Sequence, residues 1–207
     1  MTSKLLFATQ IYHAKLTTSE TSLKLILKDL KTESAQIQKM DQTGSDWSND
    51  NYTNGYTSYS SHDKLHQMSS TFSDLEKLIS KHVAHFLKNL DYFVNIKDLK
   101  MTDCWLNIMN ENVVHTAHIH PRSVLSGTFY VAVPKNASPI QFQDPRLTQF
   151  MNAPVPNSTA RIHNQRFISI LPKPGDVILF ESWLKHEVSL NKSKVPRISV
   201  SFNYDWK

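Results

Sequence analysis

The sequence predicts a mainly β fold with flanking helices (α+β), built on a double-stranded β-helix, or jelly-roll, core. Three observations predict it. Two stretches before residue 90 carry leucines and other apolar residues at helical spacing. From about residue 100 onward, short runs rich in Val, Ile, Phe and Tyr alternate with Pro, Gly and Asn turns. The length, 207 residues, suits one hydrophobic core better than two. We therefore expect a single domain over 1–207. An N-terminal strand, helices and an aromatic loop would occupy 1–100, and the jelly-roll core 101–207.

Residues Leu6 to Leu16 read as a short first strand. From Ser19 the pattern turns helical, with Leu23, Leu27 and Leu30 on one face and Ser19 or Thr21 available as a cap, and it fades near Met40. Residues 41–62 set Trp47, Tyr52, Tyr56 and Tyr59 among polar turn formers, which predicts a long loop that serves as a lid or is pinned by its aromatics. A second helix, capped around Ser69–Thr71, carries a stripe of Phe72, Leu75, Leu78, Ile79, His82, Val83 and Phe86, where His82 and His85 read as packing residues. About eight strands follow, over roughly 104–110, 115–120, 125–133, 140–143, 167–171, 177–181, 186–190 and 197–204. The two helices are expected to cover one outer sheet face.

Composition narrows the class. Hydrophobic content is 40% and charged content 20%, ordinary for a globular protein. Cys104 is the single cysteine, which excludes an internal disulfide, fits a reducing compartment and reads as a small buried hydrophobe. The formal charge of +5 is spread without a dense Lys/Arg block, which argues against a nucleic-acid partner. No targeting segment and no membrane-spanning run are evident, so a cytoplasmic protein is expected.

The chemistry concentrates in His115-Thr-Ala-His-Ile-His-Pro. In a strand, residues two apart share a face, so His118 and His120 project together, and paired imidazoles suit a first-row transition metal. Alone the pair is weak, since two half-exposed histidines on a strand are as common. A distant segment strengthens it: Lys173-Pro-Gly-Asp opens an apolar strand, His186 opens another, and Arg197 heads Arg197-Ile-Ser-Val-Ser-Phe-Asn-Tyr. Alternation puts Arg197, Ser199, Ser201 and Asn203 on one face of that strand and Ile198, Val200, Phe202 and Tyr204 on the other. The apolar set belongs to a core; the polar set needs solvent or a polar cavity.

His118-x-His120, a later His186 and Arg197-x-Ser199 together resemble the 2-oxoglutarate/Fe(II)-dependent dioxygenase superfamily. The stretch from Trp105 to Asn203 is similar to a group of small bacterial and phage oxygenases. It carries Trp105-x-Asn107, His118-Ile-His-Pro, Ser123-Val-Leu-Ser-Gly-Thr-Phe-Tyr130, Phe142-x-Asp-Pro-Arg146, Pro174-Gly-Asp-Val-Ile-Leu-Phe and Arg197-Ile-Ser-Val-Ser-Phe-Asn203. Likeness to prolyl hydroxylases is more distant and keeps the same order.

The resemblance implies Fe(II) on His118, His120 and His186, with O2 and 2-oxoglutarate as co-substrates. Oxidative decarboxylation of 2-oxoglutarate to succinate would then be coupled to substrate hydroxylation. It places the keto acid's far carboxylate on Arg197, a bidentate partner, with Ser199, Tyr130 and Asn107 as neutral contacts. One departure stands out: the superfamily's usual carboxylate ligand is His120 here. The alternatives for the third position are a water or a carboxylate from elsewhere, such as Asp144. His115 is set aside, because three residues before His118 it belongs on the opposite strand face.

Trp47 and Tyr56 of the aromatic loop, Arg146 and Asn203 are candidate substrate contacts, with solvation the alternative for Arg146 and its neighbours Arg161 and Arg166. The expected partners are the small-molecule co-substrate and a peptide, protein or small-molecule substrate, prolyl peptides being preferred by analogy alone. No membrane partner is expected, and a homodimer is a candidate assembly. Three rivals remain. A cupin-like metalloenzyme would supply a glutamate where Arg122, Ser123 and Val124 stand. A nucleic-acid dealkylase would carry an arginine at Asn203. A metal-independent binding protein would leave all ten histidines incidental.

Overall fold

The computed structural model describes residues 2–206. Its elements are strand β1 (Ile11–Lys15), helices α1 (Glu20–Met40) and α2 (Gln42–Asn51), strand β2 (Gly55–Thr57), helices α3 (Leu65–Met68) and α4 (Ser70–Asn89), then β3 (Leu99–Met109), β4 (His115–His118), β5 (Leu125–Ala132), β6 (Ile140–Gln143), β7 (Phe167–Ile170), β8 (Asp176–Glu181), β9 (His186–Val188) and β10 (Arg197–Trp206). Among the described residues these strands make a six-stranded sheet, in the order β1-β8-β5-β10-β3-β2, and a four-stranded sheet, β4-β9-β6-β7. Every named pairing is antiparallel. This is the expected jelly roll with helices on one face.

Period-two alternation decides which face of the large sheet is dry. Ile198, Val200, Phe202 and Tyr204 of β10 join Leu106 and Ile108 of β3, Phe129 and Val131 of β5, and Val177 and Leu179 of β8 in one apolar cluster. Leu30 of α1 and Phe72, Leu75, Ile79, Val83 and Phe86 of α4 close the same cluster from outside. The opposite face of the sheet turns toward the four-stranded sheet, where Tyr130, Ile140, Phe142, Ile178 and Phe180 form a second cluster. His82 packs as expected, bonded to the Tyr12 hydroxyl and the Leu16 carbonyl. Cys104 is buried, and burial pushes its thiol pKa up. Gly175, at φ 86° in the turn before β8, sits where a Cβ would meet the Leu23 side chain at 2.7 Å, so only glycine closes that turn under α1.

Two expectations need correction. The first strand begins at Ile11, not Leu6; Leu5, Leu6 and Phe7 are exposed, so no core face selects an extended backbone there. Residues 41–62 are not a loop. Asp41 caps α2 through Gly44, and β2 then pairs with β3, from Gly55 opposite Met109 to Thr57 opposite Asn107. The missing signal was one buried carboxylate: Asp41 accepts hydrogen bonds from the Gly44 amide and from the Tyr56 and Ser61 hydroxyls. Those bonds fold a polar, aromatic-rich stretch into a fixed wall beside the jelly roll.

Asp41 also gives a pH prediction. Burial raises its pKa, but the Ser61, Gly44 and Tyr56 hydrogen bonds and the nearby His62 outweigh it, and the net shift is downward. A folded pKa below the unfolded one contributes stability above the unfolded value, about 4, that is lost as pH falls through the folded one. Asp41→Asn is therefore expected to cost about 1–3 kcal/mol near pH 7, with the gap from wild type shrinking by pH 3 in urea unfolding. A gap that stays constant with pH would contradict this assignment.

Candidate metal centre

The two histidines that the sequence separates by 68 residues are cross-strand neighbours: in the β4–β9 ladder His118 lies opposite His186. Pairing alone brings their ring centroids to 4.3 Å. His120 lies just beyond β4, where its backbone amide donates to the Ser182 carbonyl at 2.9 Å. That anchor turns its ring parallel to His186, with their Nε2 atoms 3.3 Å apart. One ligand atom from each of His118, His120 and His186 falls within 4.8 Å of the others, a spacing that can hold a single metal ion.

The tautomers suit this. His118 Nδ1 faces the Thr116 carbonyl at 2.7 Å and His186 Nδ1 faces the Leu184 carbonyl at 2.9 Å. A carbonyl can only accept, so each Nδ1 carries its proton and each Nε2 keeps a free lone pair for a cation. Burial, and then the neighbouring imidazoles, lower the pKa of His120 to about 3 and of His186 to about 4; burial also lowers that of His118. All three rings are therefore neutral and ligand-ready near pH 7.

Behind the histidines lies a polar row built by register. Ser199 of β10 stands opposite Asn107 of β3 on one side and Tyr130 of β5 on the other, and Arg197 heads the same strand face. Arg197 is only 2% exposed. Its guanidinium rests over the Tyr130 ring at 5.0 Å and reaches Met109 Sδ at 3.3 Å and Ser199 Oγ at 3.5 Å. Among the described residues no carboxylate pairs with it, and its Nε has no hydrogen-bond partner; neither do the Tyr130 hydroxyl, the Tyr52 hydroxyl or Asn107 Oδ1. A cavity of about 30 Å3 joins Arg197, Ser199, Tyr130 and Asn107 to the three histidines. A buried cation with unpaired donors around it is costly unless an anion completes the site. Burial also pushes the Tyr130 pKa up, to about 12, so it remains a neutral donor.

A second cavity of about 370 Å3 opens outward from the histidines, lined by Trp47, Tyr52, Tyr59, Trp105, His115 and Asn203 among others. Trp47 and Asn203 thus stand where substrate contacts were expected. Tyr56 does not: it is 1% exposed and spends its hydroxyl on Asp41. Arg146 lies elsewhere too, locked to Asp144 by a two-pronged pair at 3.0 and 2.8 Å and facing a separate pocket. The same pair occupies Asp144, which is absent from the histidine cluster, so it does not replace His120.

His115 is a further correction. The β4–β9 register shifts between His115 and His118. The shift undoes strict alternation and turns both rings into the cavity, stacked 4.5 Å apart. Tyr52, Tyr59 and His115 were missed as cavity residues; the clustering of aromatics in 41–62 was the available signal for the tyrosines.

These features can be set beside known proteins. Residues 103–203, just under half of the chain, match the family model described as "Putative 2OG-Fe(II) oxygenase". Over that stretch the chain is similar to the 2OG-Fe(II) oxygenases. No curated protein matches the sequence. Among solved structures, the α-ketoglutarate-dependent epimerase SnoN from nogalamycin biosynthesis is similar at TM-score 0.64 and 12% identity, over 95% of this chain and 76% of SnoN. A Pseudomonas putida prolyl-4-hydroxylase is similar at TM-score 0.62 and 10% identity, over 96% and 94% of the two chains. HygX from Streptomyces hygroscopicus, solved with nickel and 2-oxoglutarate bound, is similar at TM-score 0.61 and 11% identity, over 96% and 84%. At such identities these likenesses establish the fold alone.

For the third ligand the oxygenase fold leaves a direct test. His120→Ala is expected to weaken Fe(II) binding, while His120→Asp restores the superfamily's usual carboxylate and retains iron. Fe(II) affinity unchanged in His120→Ala would remove this residue from the ligand set.

Proposed function

We propose that the chain is a 2-oxoglutarate-dependent hydroxylase that holds Fe(II) on His118, His120 and His186. The observation that carries this reading is the buried, unpaired Arg197 with the orphaned Tyr130 and Asn107 atoms, one cavity away from three neutral imidazoles. Bound there, Fe(II) and the keto acid supply O2 activation, with decarboxylation of 2-oxoglutarate to succinate and CO2 and oxygenation of a substrate carbon.

The residues have separable tasks. The Thr116 and Leu184 carbonyls hold His118 and His186 in the ligand tautomer. Arg197 takes the distal carboxylate in a two-pronged contact, leaving the weak one to Met109 sulfur. The cavity is small for a five-carbon diacid, so this rearrangement accompanies binding. Ser199 and Tyr130 donate to the same carboxylate as neutral hydroxyls. Asn203 receives a hydrogen bond from Ser126 on Oδ1 and gives one to Asp103 from Nδ2. Its fixed amide stands beside His120 and supports that ring.

Hydroxylation of a peptide or protein side chain is the reading we favour for the substrate, supported by the fold likeness to a prolyl-4-hydroxylase along nearly the whole of both chains. A nucleic-acid dealkylase is less well supported, since the polar strand face ends in the buried Asn203 rather than in an arginine. The test is to incubate Fe(II)-loaded protein with 2-oxoglutarate and peptide, amino-acid and nucleotide panels. Succinate release that rises with one panel, together with a product heavier by one oxygen atom, is expected. Succinate no higher than in metal-free protein, with every panel, would overturn the proposal.

A further inference from the structure

Two aromatic walls converge on the metal ligands. In one, the Tyr59 ring meets Trp105 edge-on at 5.0 Å, and Trp105 lies 5.8 Å from His120. In the other, Tyr52 lies 5.6 Å from His115, which stacks 4.5 Å from His118. Trp47 and Tyr59, 39% and 52% exposed, stand at the mouth. Among the described residues, the slot between these walls contains no Lys, Arg, Asp or Glu side chain; its polar atoms come from imidazoles, tyrosine hydroxyls, amides such as Asn51, and threonines such as Thr116. This is unusual in a chain that carries 41 such charged residues.

We propose that the slot selects an uncharged ring, presented flat between the aromatic walls and carrying carbonyl or hydroxyl oxygens for the amide and threonine groups at the rim. The physical basis is asymmetric. A ring face gains stacking and buried apolar area on both sides. An ammonium, carboxylate or phosphate in the same slot loses its water and meets no side chain of opposite charge there. Free amino acids and nucleotides are thereby disfavoured; a prolyl ring inside a peptide and the neutral ring of a small molecule both satisfy the chemistry. One opposing effect is present: a three-imidazole metal site holds one more positive charge than the usual two-imidazole carboxylate site, and this attracts an anion.

The inference rests on the oxygenase reading above, so its test begins by showing that 2-oxoglutarate stabilises the Fe(II)-loaded protein without oxygen. Binding is then measured on that complex by tryptophan fluorescence, with benzamide, benzoate and benzylamine as one matched set and N-acetyl-L-proline methylamide and N-acetyl-L-proline as the other. At least one neutral probe is expected to bind, about tenfold or more tightly than its charged counterparts; the set that binds identifies the source of the ring. Tyr59→Ala, with its fold checked by thermal unfolding, is expected to weaken that probe severalfold, as removing an aromatic contact does. A charged probe that binds as tightly as its neutral partner, or no probe binding while 2-oxoglutarate does, would overturn the inference and leave the co-substrate assignment standing. Failure of 2-oxoglutarate to stabilise the protein would instead strike the oxygenase reading itself.

Discussion

Replacing Arg197 with alanine is expected to raise the 2-oxoglutarate requirement by tens-fold or more while leaving iron content close to wild type. The guanidinium is buried at the head of β10, where its contacts are a thioether, a serine hydroxyl and an aromatic face. None of these neutralises its charge. In the proposed site the far carboxylate of a dicarboxylate held at the metal would meet that cation, and removing one partner of such a buried pair costs on the order of 2–5 kcal/mol. Lysine is expected to rescue only in part, since a point charge cannot reproduce the two-pronged contact. Calorimetric titration of 2-oxoglutarate into the metal-loaded variants measures this directly. An Arg197→Ala protein that binds the keto acid as wild type does would remove Arg197 from the site.

The second large effect concerns His186. It is buried, its Nδ1 is committed to the Leu184 carbonyl, and β9 holds it opposite His118. His186→Ala deletes one of the three proposed ligands from a rigid position, and no carboxylate in the described cluster can take its place. Losing a mere supporting hydrogen bond of a ligand costs 10–100-fold in metal affinity, so removing the ligand is expected to cost at least about a hundredfold and abolish succinate formation. Metal analysis after dialysis gives the result, with thermal unfolding as a check on the fold. Full metal occupancy in His186→Ala would defeat the assignment.

Much of the site was legible because strands encode faces with a period of two. Arg197, Ser199 and Ser201 could be separated from Ile198, Val200 and Phe202 by counting, and the structure puts the first set on the cavity and the second in the core. The pairing of His118 with His186 was not readable in the same way, since register between distant strands is a tertiary property. The resemblance supplied it. Where counting failed, a local irregularity was responsible. The register shift in β4 brought His115 to the face that alternation denies it. The segment 41–62 failed for a different reason: its helix and strand are organised by Asp41, a carboxylate whose burial no periodicity announces. Tyr56 was consequently drawn inward to Asp41 rather than outward to substrate, and Arg146 was captured by a neighbour two residues away. For the same reason Tyr52 and Tyr59, rather than Tyr56, line the slot.

The central claim is that the histidine cluster and Arg197 form one site, completed by a metal and a dicarboxylate together. Thermal unfolding of wild-type protein with 2-oxoglutarate, with and without Fe(II) and in the absence of oxygen, tests it most directly. A ligand that binds only the folded state stabilises by RT ln(1 + [L]/Kd), about 2.7 kcal/mol at a hundredfold excess over Kd. The account predicts a clear rise in Tm with metal and keto acid together, much larger than the sum of their separate effects and lost in Arg197→Ala. No additional stabilisation by 2-oxoglutarate when the metal is present would contradict it.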